Sequence, residues 1–208
     1  MMLEKKTTDF LDVLSSKEPT PGGGGASAAV GAFAAALGMM VTNLTVGKKK
    51  YADVEEEIAQ ISCQLEELRD KLVLLTDRDA EVFEPLAKAY SLPNETKEEK
   101  ERKEEVMESA LCDASIVPLE IMKTVFKVIE LLQVLEEKGS KMAVSDVGVA
   151  VLFARAALEG ASLNIYINTK LMKNRERAEK LNSEADGLTV RGRRLQEKIY
   201  ARVLGKIC

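Results

Sequence analysis

From Val54 to Leu75 apolar residues recur at Val54, Ile58, Ile61, Leu65, Leu68, Leu72 and Leu75. Spacings that alternate between four and three residues describe a seam running along one side of a long helix. This seam predicts a helix over 53–90, which must bury its stripe against other helices rather than against a sheet. Other stretches read the same way. Short amphipathic 8–16 ends at SKEPTPGG, where two prolines and the glycines force a loop. A helix is expected over 26–47. Another starts at the capping-box pair Thr96 and Glu99, is kinked or split at Pro118, and resumes to Glu137 with Gly139 as its C-cap. Helices over 141–169 and 174–204 complete the chain, the last weakened by Gly187 and Gly192.

No alternating strand pattern or Asn-Gly hairpin interrupts this series. The expected fold is therefore all-α: one domain over 1–208, built as a bundle of long antiparallel helices. Helices beyond thirty residues are long for a compact monomer, so a symmetric twofold dimer is expected.

Polar residues interrupt the apolar pattern at two places. The seam continued past Leu75 reaches Asp79 before Val82 and Leu86. An ionised carboxylate in a core register is costly unless it is paired, hydrogen-bonded or facing a cleft. Either the bundle splays there and admits water, or Asp79 sits in a pocket. In 141–169, Asp146, Phe153, Ala157, Gly160, Asn164 and Ile167 share one stripe, with Asn168 a turn beyond Asn164. Buried Asn residues can simply stitch helices together. With small neighbours they can equally line a ligand slot. Arg155 and Glu159, four apart, read as a structural ion pair.

The stretch PTPGGGGAS precedes the chargeless run AAVGAFAAALGMMVTNLTVG and then KKKY. It is no phosphate loop, because no Lys-Ser/Thr follows the glycines and no strand precedes them. The run has the length of a membrane span, but Ala, Gly, Ser and Thr dominate it where Leu and Ile would be required. A buried helix fits better. Unpaired N–H groups and the positive dipole end make such a helix start a docking point for an anionic or carbonyl group, and glycines allow close approach. Lys48, Lys49 and Lys50 suit the opposite helix end, or a ligand carboxylate.

Composition excludes several function classes. A net charge of −4, 4% aromatic residues and no Trp give no basis for nucleic-acid binding. Three cysteines, Cys63, Cys112 and Cys208, have no zinc-ligand spacing and no even pairing. MMLEKKTTDFLD lacks the apolar core of a signal peptide, so a cytoplasmic location is expected. Histidine is absent. Any proton transfer near neutral pH falls to Asp, Glu, Lys, Tyr, Cys or the substrate itself.

Taken in order, PTPGGGGASAA, LTVGKKKY, TDRDAEVF, LPNETKEEKERK, SIVPL and SDVGVA with EGASLNIYIN resemble the cyclodeaminase domain of the formiminotransferase-cyclodeaminase family over about 8–170. That family includes stand-alone bacterial cyclodeaminases and methenyltetrahydrofolate cyclohydrolases. The resemblance implies an all-α, dimer-forming protein acting on folates, with no metal or nucleotide cofactor and no membrane partner. No formiminotransferase domain accompanies these 208 residues. Both family reactions centre on the carbon joining N5 and N10 of the folate. With no His, Asp79 and Asp146 are the catalytic candidates, one stabilising the cation and one moving a proton. By resemblance, Gly23, Gly24, Gly25 and Ser27 would contact the pterin or its bridge. Lys49 and Lys50 would hold the glutamate tail, and Asn164 and Asn168 the ring edge. A non-catalytic helical binding or scaffold protein is the alternative.

Overall fold

A computed structural model describes residues 1–4 and 6–208. Among the described residues there is no strand, and six α-helices carry the fold: α1 Thr7–Leu14, α2 Gly23–Asn43, α3 Glu55–Tyr90, α4 Lys97–Lys138, α5 Val144–Leu171 and α6 Arg175–Ile207. Short 3-10 turns precede α1, α3 and α5. Helix α4 is the hub. It packs on α2, α3, α5 and α6, while α2 lies between α3 and α5.

The seam of α3 is where its spacing placed it, with Ile58, Ile61, Leu65, Leu72 and Leu75 buried. Helix α2 is long and apolar enough to cross a membrane by length and composition, yet 56% of its apolar window is buried inside the bundle. It occupies a narrow space. A Cβ on Gly31 would lie 2.8 Å from Val125 Cγ2, and one on Gly38 would lie 2.9 Å from Leu65 Cδ1. The small side chains therefore set the spacing of α2 from α3 and α4. Gly31→Val is expected to destabilise the fold by about 1–3 kcal/mol through overpacking, read as a lower urea midpoint with unchanged slope.

Helix bounds differ from expectation at both ends of α2, which starts at Gly23 rather than 26 and stops at Asn43 rather than 47. The glycines form its first turn because a partner outside the helix takes one of their free N–H groups, as described below. At the other end the Thr45 hydroxyl accepts the Ser140 N–H at 2.9 Å, and Gly47 turns the chain with φ 76°. The capping box at α4 forms as read, Glu99 N–H donating to Thr96 Oγ1 at 3.2 Å and Thr96 N–H to Glu99 Oε2 at 3.0 Å.

Pro118 does not split α4, which runs for 42 residues. Proline leaves the carbonyl four residues back without its helical donor. That carbonyl belongs to Ala114, and Asn168 Nδ2 of α5 donates to it at 3.0 Å. A side chain from the neighbouring helix thus satisfies what the proline orphans. Gly192, expected to weaken α6, instead permits close packing, since a Cβ there would lie 2.2 Å from Leu158 Cδ2.

Candidate functional site

Asp79 stands one helical turn beyond Leu75, where α3 passes the first turn of α2. Its Oδ2 accepts the Gly25 N–H at 2.8 Å. A Cβ on Gly24 would lie 2.2 Å from Oδ1 and 2.5 Å from Oδ2, so only glycine leaves room for the carboxylate. Burial pushes the Asp79 carboxyl above its ordinary value, and the Gly25 N–H pulls back against that rise. Among the described residues no ion pair involves Asp79. A carboxyl of this kind can hold or release a proton closer to neutral pH than an exposed aspartate.

Asp79 lines a cavity of about 200 Å³ together with Gly23, Phe83, Pro118, Asn164 and Asn168. The pocket reading of Asp79 therefore holds over the splayed-bundle one, although the group is only half-buried. Asn164 closes one wall against α2: a Cβ on Gly23 would lie 3.6 Å from its Nδ2, which donates to Gly160 O at 3.0 Å. Asn168 lines the cavity while its Nδ2 is committed to Ala114 O, leaving Oδ1 as the atom able to face a ligand. Asn168 thus stitches α5 to α4 and lines the cavity, whereas the bond of Asn164 stays within α5 while its side chain lines the cavity.

The remaining candidates fall elsewhere. The Ser27 hydroxyl donates to Gly23 O at 2.7 Å, and a Cβ on Gly160 would lie 2.6 Å from it, so Ser27 packs α2 on α5 outside the cavity lining. Gly25 meets Asp79, not the cavity. Asp146 opens α5, eighteen residues before Asn164, or about 27 Å along the helix. Lys49 and Lys50 lie in the 3-10 segment beyond the C-terminal end of α2, with Lys50 Nζ 5.6 Å from the centre of the Tyr51 ring. Arg155 and Glu159 do pair at 3.0 Å, joined by Arg193 of α6. The chain thus brings together Asp79, Gly23, Asn164 and Asn168, and places Asp146, Lys49 and Lys50 at the other end of the bundle.

Sequence reading missed Phe83 and Pro118 as cavity residues. Phe83 lies one turn beyond Asp79 and was open to detection. Pro118 reads in sequence only as a helix breaker. Larger surface grooves exist, one of about 750 Å³ between α3, α4 and α6, but they enclose no buried carboxyl. Among the described residues no three His, Cys, Asp or Glu side chains gather as a metal-ligand set.

Comparison with known proteins points to one family. The family profile described as formiminotransferase-cyclodeaminase matches residues 6–187. A methenyltetrahydrofolate cyclohydrolase from Methylorubrum extorquens is 44% identical over 198 residues, covering 95% of each chain. The formimidoyltransferase-cyclodeaminase of Sus scrofa is 32% identical over 169 residues, 81% of this chain and 31% of that one. This chain thus spans about a third of the animal protein. The crystal structure of formiminotetrahydrofolate cyclodeaminase from Thermotoga maritima superposes with a TM-score of 0.90 at 29% identity, covering 100% of both chains.

Proposed function

The chain belongs to the formiminotransferase-cyclodeaminase family, and from that premise we propose that it hydrolyses 5,10-methenyltetrahydrofolate with Asp79 as its proton-handling group. At the coarser level it is a folate one-carbon enzyme acting at the N5/N10 carbon, as cyclodeaminase or cyclohydrolase. The preference for hydrolysis rests on the cyclohydrolase relative, which is matched over nearly its whole length at 44% identity. Cyclodeamination is the second reading, favoured by the likeness to the Thermotoga maritima enzyme.

The observation that carries the mechanism is the Asp79 carboxyl, desolvated at a glycine-built helix start beside a cavity. The methenyl substrate carries a cation delocalised over N5, the bridging carbon and N10. A carboxylate held nearby stabilises that charge and accepts a proton as water attacks the carbon. The resulting carbinol then loses its O–H proton while the N5–carbon bond breaks and N5 takes up the proton held by Asp79. Ring opening leaves the formyl group on N10 and releases one net proton. Asn164 and Asn168 line the same cavity, and their amides orient the ring edge.

For cyclodeamination the same group works in reverse, protonating the departing ammonia after N10 attacks the formimino carbon. Supplying each folate separately and following absorbance of the methenyl species separates the two. Loss of the methenyl signal beyond its spontaneous rate is the expected result. Its appearance from the formimino compound assigns cyclodeamination, and no change with either folate leaves a non-catalytic binding protein.

A further inference from the structure

The polar side chains lining the cavity are a carboxylate, two amides and a hydroxyl, from Asp79, Asn164, Asn168 and Thr20, and no Lys or Arg is among the lining residues. A reduced pterin carries N–H donors at N3, N8 and the 2-amino group along one edge. An asparagine receives such an edge only with its amide oxygen inward, because a half-turn of the amide presents N–H donors instead.

Asn168 is set in that sense from outside the cavity. It is buried in the last turn of α5. That turn is anchored by Arg175 Nη1, which donates to Thr169 O at 2.8 Å and to Met172 O at 3.1 Å, and by Thr169 Oγ1, which donates to Asn182 Oδ1 at 2.7 Å. With the backbone fixed, what remains to be decided is which end of the amide meets α4. A carbonyl only accepts, so Ala114 O selects the nitrogen, and Nδ2 donates to it at 3.0 Å.

Pro118 creates that selection. In an uninterrupted helix the N–H of residue 118 would serve Ala114 O, and proline has none. The other helical proline shows that the break alone needs no side-chain partner. Pro85 interrupts α3, but it is exposed together with Glu81, whose carbonyl it orphans, so water reaches the site of the break. Ala114 and Pro118 are both buried. A carbonyl left there without a donor is costly, and Asn168 supplies one.

Building on the folate reading above, we propose that Pro118 is a positioning residue for the substrate. By orphaning Ala114 O it commits the Asn168 nitrogen to α4 and keeps Oδ1 turned to the cavity, where it accepts an N–H of the reduced pterin ring. A proline inside a 42-residue helix thus serves the site rather than the fold.

The test is a double-mutant cycle on KM, with 5,10-methenyltetrahydrofolate and the formimino compound supplied separately and melting temperature read alongside. Pro118→Ala returns an N–H to Ala114 O and frees the amide to turn. KM is expected to rise about fivefold with kcat within about twofold, and melting should be no lower than wild type. Asn168→Leu keeps the shape of the side chain but removes the acceptor and strips Ala114 O of its donor. It is expected to raise KM about tenfold and to melt several degrees lower. In the double variant the N–H restored at position 118 serves Ala114 O, so melting recovers toward that of Pro118→Ala while KM stays at the Asn168→Leu value. An unchanged KM in Pro118→Ala, or KM effects that multiply in the double variant, overturn the proposal. If Asn168→Leu does not fold, a folded double variant with KM within about threefold of Pro118→Ala gives the same support, and a larger rise overturns it. Pro85→Ala is the control: its KM should not move, and a rise matching that of Pro118→Ala traces the effect to helix straightening and also overturns it. A wild type that turns over neither folate defeats the functional reading and the substrate contact with it. Melting of the same variants still decides whether Asn168 answers Pro118, since a double variant as unstable as Asn168→Leu breaks that link.

Discussion

Asp79→Asn is expected to lower folate turnover by about 10²–10⁴-fold while leaving the bundle intact. The amide is the same shape, and its oxygen can keep accepting the Gly25 N–H that now reaches Oδ2 at 2.8 Å. What disappears is the ability to take and return a proton, which no histidine in the chain can replace. Stability should move the other way. Burial raises the folded-state value of Asp79 above its reference of 3.8, so the ionised form opposes folding. That cost is absent below the unfolded value and grows as pH rises through the folded one. The variant is therefore expected to melt above the wild type at pH 7, with the gap closing as pH falls toward 4. Turnover within twofold of wild type would remove Asp79 from the chemistry. A variant melting lower at pH 7 would show that the carboxylate stabilises rather than strains the fold.

Gly24→Ala is expected to cost about a hundredfold in turnover without touching any titrating group. Its methyl would occupy the space 2.2 Å from Asp79 Oδ1, and the carboxylate must swing away or α2 must retreat from α3. A displacement near 1 Å at a reacting group is enough for a loss of that size. Ala is also the better helix former, by roughly 0.5–1 kcal/mol, which offsets part of the steric cost. Large loss of activity with a modest change in melting temperature is thus the distinguishing pattern. Gly187→Ala is the control, because a Cβ there meets nothing within 4 Å, and it should leave turnover unchanged. Equal activity of the two variants would show that Gly24 is not holding a place for the carboxylate.

Much of the molecule was legible because helices announce themselves locally. The seam of α3, the capping box at Thr96 and the Arg155–Glu159 pair all depend on residues within a few turns, and each forms where spacing put it. Asp79 was legible for a related reason, as a charge standing in an apolar register. Pro118 was misjudged because its effect on α4 depends on a donor more than forty residues away: Asn168 supplies the bond that local rules count as lost. Ser27 was misjudged in the same way. A hydroxyl two residues past the last glycine resembles a ligand contact in sequence, and only the proximity of Gly160 shows it to be packing.

The sequence by itself determined an all-α bundle, its helix boundaries to within a few residues, and a carboxylate standing in an apolar register. These follow from periodicity and from the cost of misplacing polar groups, which act over one or two turns. Only the tertiary structure decided which candidates share a cavity. Antiparallel packing of α2 and α5 set Gly23 beside Asn164 and carried Asp146 and the lysines to the far end. That outcome depends on helix direction and contact. A stripe of residues along a helix specifies a face, but it leaves open which of its two ends will meet the neighbouring helix's start.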